Sequence, residues 1–210
     1  APGSDLDGAY LVVWTTTPWT LPSNQAVAVN PGVEYVVVPA DGRRLVLAKA
    51  RLVAYARELG EEPEVLATYT GEQLLGLRYL PPFPYFADSE KAFVVLRGDF
   101  VTTEDGTGIV HMAPAYGQDD HEVGKREGLP TLHPVDAQGR FVDGSPVAGV
   151  FVKEADKEIL RLLKEAGRLF RRETIVHSYP HCWRCDTPLL YYARDSWYIK
   201  TTSAKERMVE

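Results

Sequence analysis

Short apolar runs, each ended by a turn signal, most restrict the fold open to this chain. Residues 11–15, 26–29, 35–38 and 44–48 hold four or five residues apiece and are rich in valine and leucine. They are parted by Asn30-Pro31-Gly32 and Asp41-Gly42, where proline removes a ladder donor and glycine takes backbone angles other residues avoid. Runs of that length and composition predict strands. Residues 64–70, 92–96 and 108–111 read the same way, with 173–178 as a last β region and Pro81-Pro82-Phe83-Pro84 as irregular cover. Three stretches predict helices instead. In 50–59, Leu52, Val53, Ala56 and Leu59 share a face before Gly60; in 153–166, Ala155, Ile159, Leu162, Leu163 and Ala166 do so before Gly167. A third begins at Asp119-Asp120 and ends near Gly128, its acids at the positive end of the helix dipole. The pattern predicts a mainly β, α+β fold: a barrel-like β core with peripheral α-helices.

A length of 210 residues suffices for one well-cored domain. The net charge of −6 argues against broad, non-specific phosphate binding. Arg161, Lys164, Arg168, Arg171 and Arg172 form the densest basic cluster, read either as a solvated face or as a modest contact for an RNA end. No apolar run reaches membrane-spanning length, and the opening APGSDLDG has no signal-peptide pattern. Cys182 and Cys185 are the only cysteines, which gives no disulfide framework and favours a reducing compartment. Neither end carries an evident cap, so the chain is expected to be a piece of a longer protein.

Two stretches can carry chemistry. In 14–24, WTTTPWTLPSN, Thr15, Thr16 and Thr17 put hydroxyls on both sides of an extended backbone. Pro18 and Pro22 stiffen the turn, and Trp14 and Trp19 supply apolar walls with a polar tip. That suits a small pocket for an amino acid or an ester; it equally suits a strand-edge threonine cluster over two core tryptophans. In 106–124, GTGIVHMAPAYGQDDHEVG, glycines and a proline set His111 and an acidic pair near one turn. A carboxylate at a helix start can pair with an ammonium or simply cap the helix; Asp119 better fits the cap and Asp120 the anchor. His111 reads either as a site residue or as a satisfied strand histidine. A hydrolytic metal site from His111, Asp119, Asp120 and His121 lacks any recognised ligand spacing. A thiol nucleophile from Cys182 or Cys185 with His177 or His181 asks sequence neighbours for a geometry they seldom make.

WTTTPWTLPSN followed by QAVAV resembles the threonine-rich segment of the editing domain inserted in isoleucyl-tRNA synthetases. Valyl relatives typically read TTRPET there, so PWTLPSN points to the isoleucyl branch. Residues 106–124 and HSYPHCWRC match the same family in order, and the likeness runs from about Tyr10 to Trp197. The resemblance implies a hydrolytic editing domain over 1–178 and a connecting segment over 179–210, deacylating valine from mischarged tRNA(Ile) and acting on valyl-adenylate. It implies that Thr15, Thr16 and Thr17 contact the ester and water. It makes Asp120 the holder of the α-amino group, His111 the limit on pocket size, and Asn24 a member of the site. Trp14 and Trp19 become walls, with Trp19 and Tyr179 near the terminal adenosine. No residue is assigned as general base. Cys182 and Cys185 match half of a zinc motif completed elsewhere in the parent, so no cofactor is expected in this chain. No HIGH-type or KMSKS-type motif occurs, so ATP and magnesium are expected to serve only the longer parent. The implied partners are the tRNA(Ile) acceptor end and the rest of the synthetase, in the cytoplasm and without a membrane. Two other readings stay open: a non-catalytic docking module for the tRNA end, and the editing domain of a valyl or leucyl relative.

Overall fold

The computed structural model describes residues 5–86, 89–174 and 178–205. In chain order the strands and helices are β1 Tyr10–Leu11, β2 Ala26–Val29, β3 Glu34–Ala40, β4 Arg43–Ala48, α1 Ala56–Leu59, β5 Ala67–Thr70, α2 Gly71–Leu74, β6 Val94–Arg97, β7 Ile109–Met112, α3 Gln118–Glu127 and α4 Val152–Glu165. One sheet has the order β1-β4-β3-β5 and the other β6-β2-β7. Strand β3 lies antiparallel to β4 and β5, and β1 parallel to β4; β2 is parallel to β6 and antiparallel to β7. The β3–β4 hairpin closes on Asp41-Gly42, both at positive φ (48° and 72°), as a two-residue turn that follows strand twist requires.

The chain after β1 joins the sheets. Val12 N–H bonds the Val46 carbonyl of β4 at 3.0 Å, and two residues on Trp14 N–H bonds the Ile109 carbonyl of β7 at 3.0 Å. At the far edge, residues 77–79 pair with β6, through Val95 N–H to the Leu77 carbonyl at 2.9 Å and Tyr79 N–H to the Phe93 carbonyl at 3.0 Å. The β layer therefore curls like a barrel, while among the described strands no ladder closes it into a ring. Val29, Tyr35, Val37, Val46, Leu74, Val95 and Ile109 fill the space between the sheets. A second core lies under α4, whose Val152, Ala155, Ile159 and Leu163 recur every three or four residues and pack with Trp19, Tyr116 and Phe141.

The mainly β expectation with outer helices is met, and 26–29 is a strand at the expected bounds. Other details differ. Residues 11–15 do not form one strand, because the chain leaves β4 and joins β7 within it. Residues 49–55 form a 3-10 turn, and only 56–59 is α-helical. Three residues per turn swing Val53 off the shared face, so it is 83% exposed. Ala166 lies past the end of α4 and is exposed. Asp119 is not the cap of α3: Gly117 takes that place, with no side-chain bond, and Asp119 sits exposed in the first turn. Glu173, Thr174 and Ser178 are outside any strand, and 175–177 lie outside the described residues.

Gly71 shows how tightly the edge is built, since a Cβ there would stand 2.0 Å from the Asn30 carbonyl oxygen. Gly71→Ala is expected to lower stability by about 1–3 kcal/mol in urea unfolding, as overpacking against backbone does.

Candidate active site

The threonine segment is shaped by a 3-10 turn over Pro18–Ser23. Pro18 suits its first position, having a preset φ and no N–H to leave unpaired. Residues i and i+3 eclipse in such a turn, which stacks Thr17 and Thr20 with their Oγ1 atoms 3.3 Å apart. Thr20 Oγ1 donates to the Thr17 carbonyl at 2.8 Å. Thr17 N–H donates to Thr15 Oγ1 at 3.1 Å, and the Oγ1 atoms of Thr15 and Thr17 are 3.4 Å apart. Trp19 N–H, an orphan donor at the turn's start, bonds Asp156 Oδ1 of α4 at 2.8 Å. Thr16 is exposed.

His111 stands in β7 opposite Val27 of β2, while Gln25 N–H bonds the Met112 carbonyl at 3.0 Å. That register brings Asn24 to one ring nitrogen: Asn24 Nδ2 and His111 Nδ1 are 2.8 Å apart. The other nitrogen, Nε2, is 3.0 Å from Thr20 Oγ1. Asn24 Nδ2 also donates to the Ala26 carbonyl at 2.9 Å, and Tyr79 O–H donates to Asn24 Oδ1 at 2.5 Å. Burial lowers the His111 pKa to about 4, against an opposing contribution from Thr20. The ring is neutral at physiological pH.

Asp120 lies two positions into α3 and folds back to accept the Ala113 N–H at 2.6 Å on Oδ2. Gly117 makes room, because a Cβ there would meet the Asp120 carboxyl carbon at 2.9 Å. Burial raises the Asp120 pKa to about 6; the Ala113 N–H opposes this and the Asp119 carboxylate adds to it. Ala113 follows His111 by two residues, so both groups hang from the end of β7. The Trp19 and Tyr116 rings meet edge to face with centroids 4.8 Å apart, packing the threonine turn against the turn that leads into α3.

Thr15, Thr17, Asn24 and His111 are thus joined in one network, with Asp120 and Trp19 beside it. Three expected members are not part of it: Thr16, which is exposed, and Trp14 and Tyr179, which lie elsewhere. Trp14 packs its ring on Gly106 and lines a cavity of about 320 Å³ with Arg51, Tyr55 and Arg171. Tyr179 lies on the first turn of α4, where Lys153 Nζ is 2.6 Å from its hydroxyl, which donates to the Leu189 carbonyl at 2.6 Å. Thr20 and Tyr79 belong to the network and Asp156 holds Trp19 beside it; none of the three was singled out by sequence. Thr20, three residues after Thr17 in a proline-started turn, carried a signal; Tyr79 and Asp156 are distant in the chain and carried none. His111 and Asp120 have separate partners, and among the described residues no group of three or more His, Cys, Asp or Glu side chains gathers as a metal site.

No protein-family model matches the chain. Curated relatives do. Over the whole chain it is 58% identical to an isoleucine–tRNA ligase of Mycobacterium tuberculosis, and over 97% of it 52% identical to that of Clostridium acetobutylicum. The chain belongs to the isoleucine–tRNA ligase family. It spans about a fifth of those relatives' length, 21% and 19% of the two enzymes. Among solved structures, GlLeuRS-CP1 superposes with a TM-score of 0.61 at 19% identity, covering 83% of this chain and 86% of that one. The P. knowlesi cytosolic leucyl-tRNA synthetase editing domain gives 0.56 at 16%, covering 87% and 83%. At those identities the likeness is one of fold.

In this ligase segment the basic cluster is largely spent on the protein itself. Arg161 pairs with Glu158 and Glu165, Arg168 bonds the Pro81 and Pro82 carbonyls at 2.8 Å, and Arg171 holds the Ala54 carbonyl and Glu173. The cysteine pair forms a tight knuckle, with Cys185 exposed and Cys182 half-buried, in which Asp186 N–H bonds the Cys182 carbonyl at 2.9 Å. Thr187 hydrogen bonds lower the Cys185 pKa. The knuckle offers two of the four donors that tetrahedral zinc needs.

Asp120 predicts a pH-dependent stability. Its folded pKa, about 6, is above the unfolded value, so its contribution is complete below the unfolded value and is lost as pH rises through about 6. Asp120→Asn, which keeps the Ala113 contact, is expected to stabilise the chain by about 2 kcal/mol at pH 8 and by nothing near pH 3. Thermal unfolding across that range measures it.

Proposed function

We propose that this segment is the editing hydrolase of an isoleucine–tRNA ligase and removes valine wrongly esterified to tRNA(Ile). The observation that carries the reading is a hydroxyl run ending on a neutral histidine, set beside a carboxylate that ionises near pH 6. In this reading Asp120, ionised at neutral pH, takes the ammonium of the aminoacyl group. The Thr15 and Thr17 hydroxyls orient the attacking water and the ester carbonyl, so catalysis is positioning and electrostatics. Water adds to the carbonyl carbon, the ester bond breaks, and the ribose hydroxyl leaves with a proton. His111 bars side chains larger than valine. A synthetic site separates the two amino acids poorly, since one methylene is worth roughly 1–3 kcal/mol, a limit for which isoleucine against valine is itself the standing example. A smaller second pocket removes what passes.

The tRNA(Ile) acceptor end, free valine, valyl-adenylate and the rest of the ligase are the partners in this reading, in the cytoplasm. Cys182 and Cys185 would supply half of a structural zinc site whose other donors lie elsewhere in the parent, and ATP with magnesium would serve the synthetic site there.

Incubating the chain with valyl-tRNA(Ile) and isoleucyl-tRNA(Ile) tests the reading. Valine release should be selective, should rise with pH through about 6, and should fall on the order of 100-fold in Asp120→Ala. Binding of both tRNAs without hydrolysis of either would replace the hydrolase with a docking module. His111→Ala should let isoleucyl-tRNA(Ile) be cleaved as well; unchanged selectivity would remove His111 from the sieve.

A further inference from the structure

The contacts around Asn24 leave its amide one orientation. The Ala26 carbonyl can only accept, so the atom 2.9 Å from it is the Asn24 NH₂. The same NH₂ lies 2.8 Å from His111 Nδ1, which therefore accepts and carries no hydrogen. Asn24 Oδ1, on the other side, takes the Tyr79 hydroxyl hydrogen at 2.5 Å. Burial raises the Tyr79 pKa, so the phenol stays a donor. Tyr79 is itself well placed: its N–H is paired with Phe93, and the two rings meet edge to face at 6.2 Å.

We propose that Tyr79 is a positioning residue: it and the Ala26 carbonyl clamp Asn24, which holds His111 as the Nε2–H tautomer and so keeps the Thr20 hydroxyl hydrogen on the Thr17 carbonyl. A neutral imidazole with a bare Nδ1 carries its hydrogen on Nε2, aimed at Thr20 Oγ1 at 3.0 Å. The Thr20 hydrogen goes to the Thr17 carbonyl at 2.8 Å, leaving Thr20 Oγ1 only lone pairs for Thr17, 3.3 Å away. Thr17 therefore donates to Thr20, and Thr15 donates to Thr17 across 3.4 Å. Thr15 Oγ1, its hydrogen spent, meets a water as an acceptor. A water that gives one hydrogen to Thr15 keeps a lone pair for an electrophile. In the opposite tautomer Nε2 would take the Thr20 hydrogen away from the Thr17 carbonyl, loosening the contact that ties the threonine turn, while Thr20 would still offer Thr17 Oγ1 only lone pairs. Tyr79 thus reaches the Thr17 carbonyl, and the set of the threonine turn, through Asn24, His111 and Thr20.

The lock itself stands apart from the hydrolase reading; its effect on turnover rests on it. Long-range ¹H–¹⁵N correlation of the chain labelled at histidine reads the tautomer directly. The expected wild-type spectrum shows His111 with a protonated Nε2 and a bare Nδ1. In Tyr79→Phe, Asn24 Oδ1 is left buried without its donor and can turn to accept from the ring. An Nδ1–H population should then appear, and kcat for valyl-tRNA(Ile) should fall on the order of tenfold with KM little changed. A wild-type ring protonated on Nδ1, or a Tyr79→Phe spectrum identical to wild type, overturns the lock. A shifted tautomer with unchanged kcat overturns its effect on the threonines. If no ester is hydrolysed by the wild type, the functional reading fails while the spectra still decide the lock. If Tyr79→Phe does not fold, Asn24→Asp serves: a carboxylate cannot donate, so Nδ1 must gain a hydrogen, and a bare Nδ1 there overturns the proposal.

Discussion

The register of β2 against β7 is the constraint on which the site depends. Val27 opposes His111 and Ala26 opposes Met112, so the residues just before β2 arrive beside the histidine ring. A slip of one residue would send His111 to the other face and separate it from Asn24. The register has support on both sides of β7. Gln25 N–H bonds Met112 on the β2 side, and Trp14 bonds Ile109 on the other. The second of these bonds also fixes where Thr15 leaves the sheet. One strand of four residues therefore locates the threonines, the asparagine and the histidine together, and its continuation into the 113–117 turn locates Asp120.

Burial acts on the two titratable groups of the site in the same sense and with different results. Each is pushed toward its neutral form. For His111 this means a ring that is uncharged at physiological pH and whose nitrogens can be read as one donor and one acceptor. For Asp120 the shift stops near pH 6, so the carboxylate is charged in neutral solution but held at a cost. An arriving ammonium offsets that cost, whereas a neutral ligand does not. In the proposed reading the site would thus favour a cation by the penalty it carries when empty, a form of selectivity that needs no second carboxylate.

The strands were legible because short valine-rich runs between turn residues have few alternatives, and Ala26–Val29 falls where the pattern puts it. Helix α4 was legible for a similar reason: fourteen residues sample the helical period several times. Residues 49–55 were not, since over a single turn the α and 3-10 periods select nearly the same apolar positions, and Val53 alone betrays the difference. Asp119 was misread as a cap because Gly117 offers no side chain to recognise. At the site, composition placed the threonines on a stiff turn but left their role open, and resemblance supplied Asn24, His111 and Asp120. Tyr79 and Asp156 meet residues 55 and 137 positions away. No local pattern encodes a contact of that span.

A size filter works only as well as its wall resists being moved. A methylene that can push a side chain aside is discriminated by the cost of the push, and for a surface rotamer that cost is small. In the proposed reading His111 is that wall. Its backbone lies in a strand paired on both sides, and both ring nitrogens are held, one by Asn24 and one by Thr20. Those holders are themselves held, by Ala26 and Tyr79 on one side and by the Thr17 carbonyl on the other. To retreat, the ring would have to break two buried hydrogen bonds and leave their partners unpaired, each worth about 1–3 kcal/mol. That exceeds or matches what one methylene can supply, so in the proposed editing reading the same network would make the wall rigid enough to sort by size.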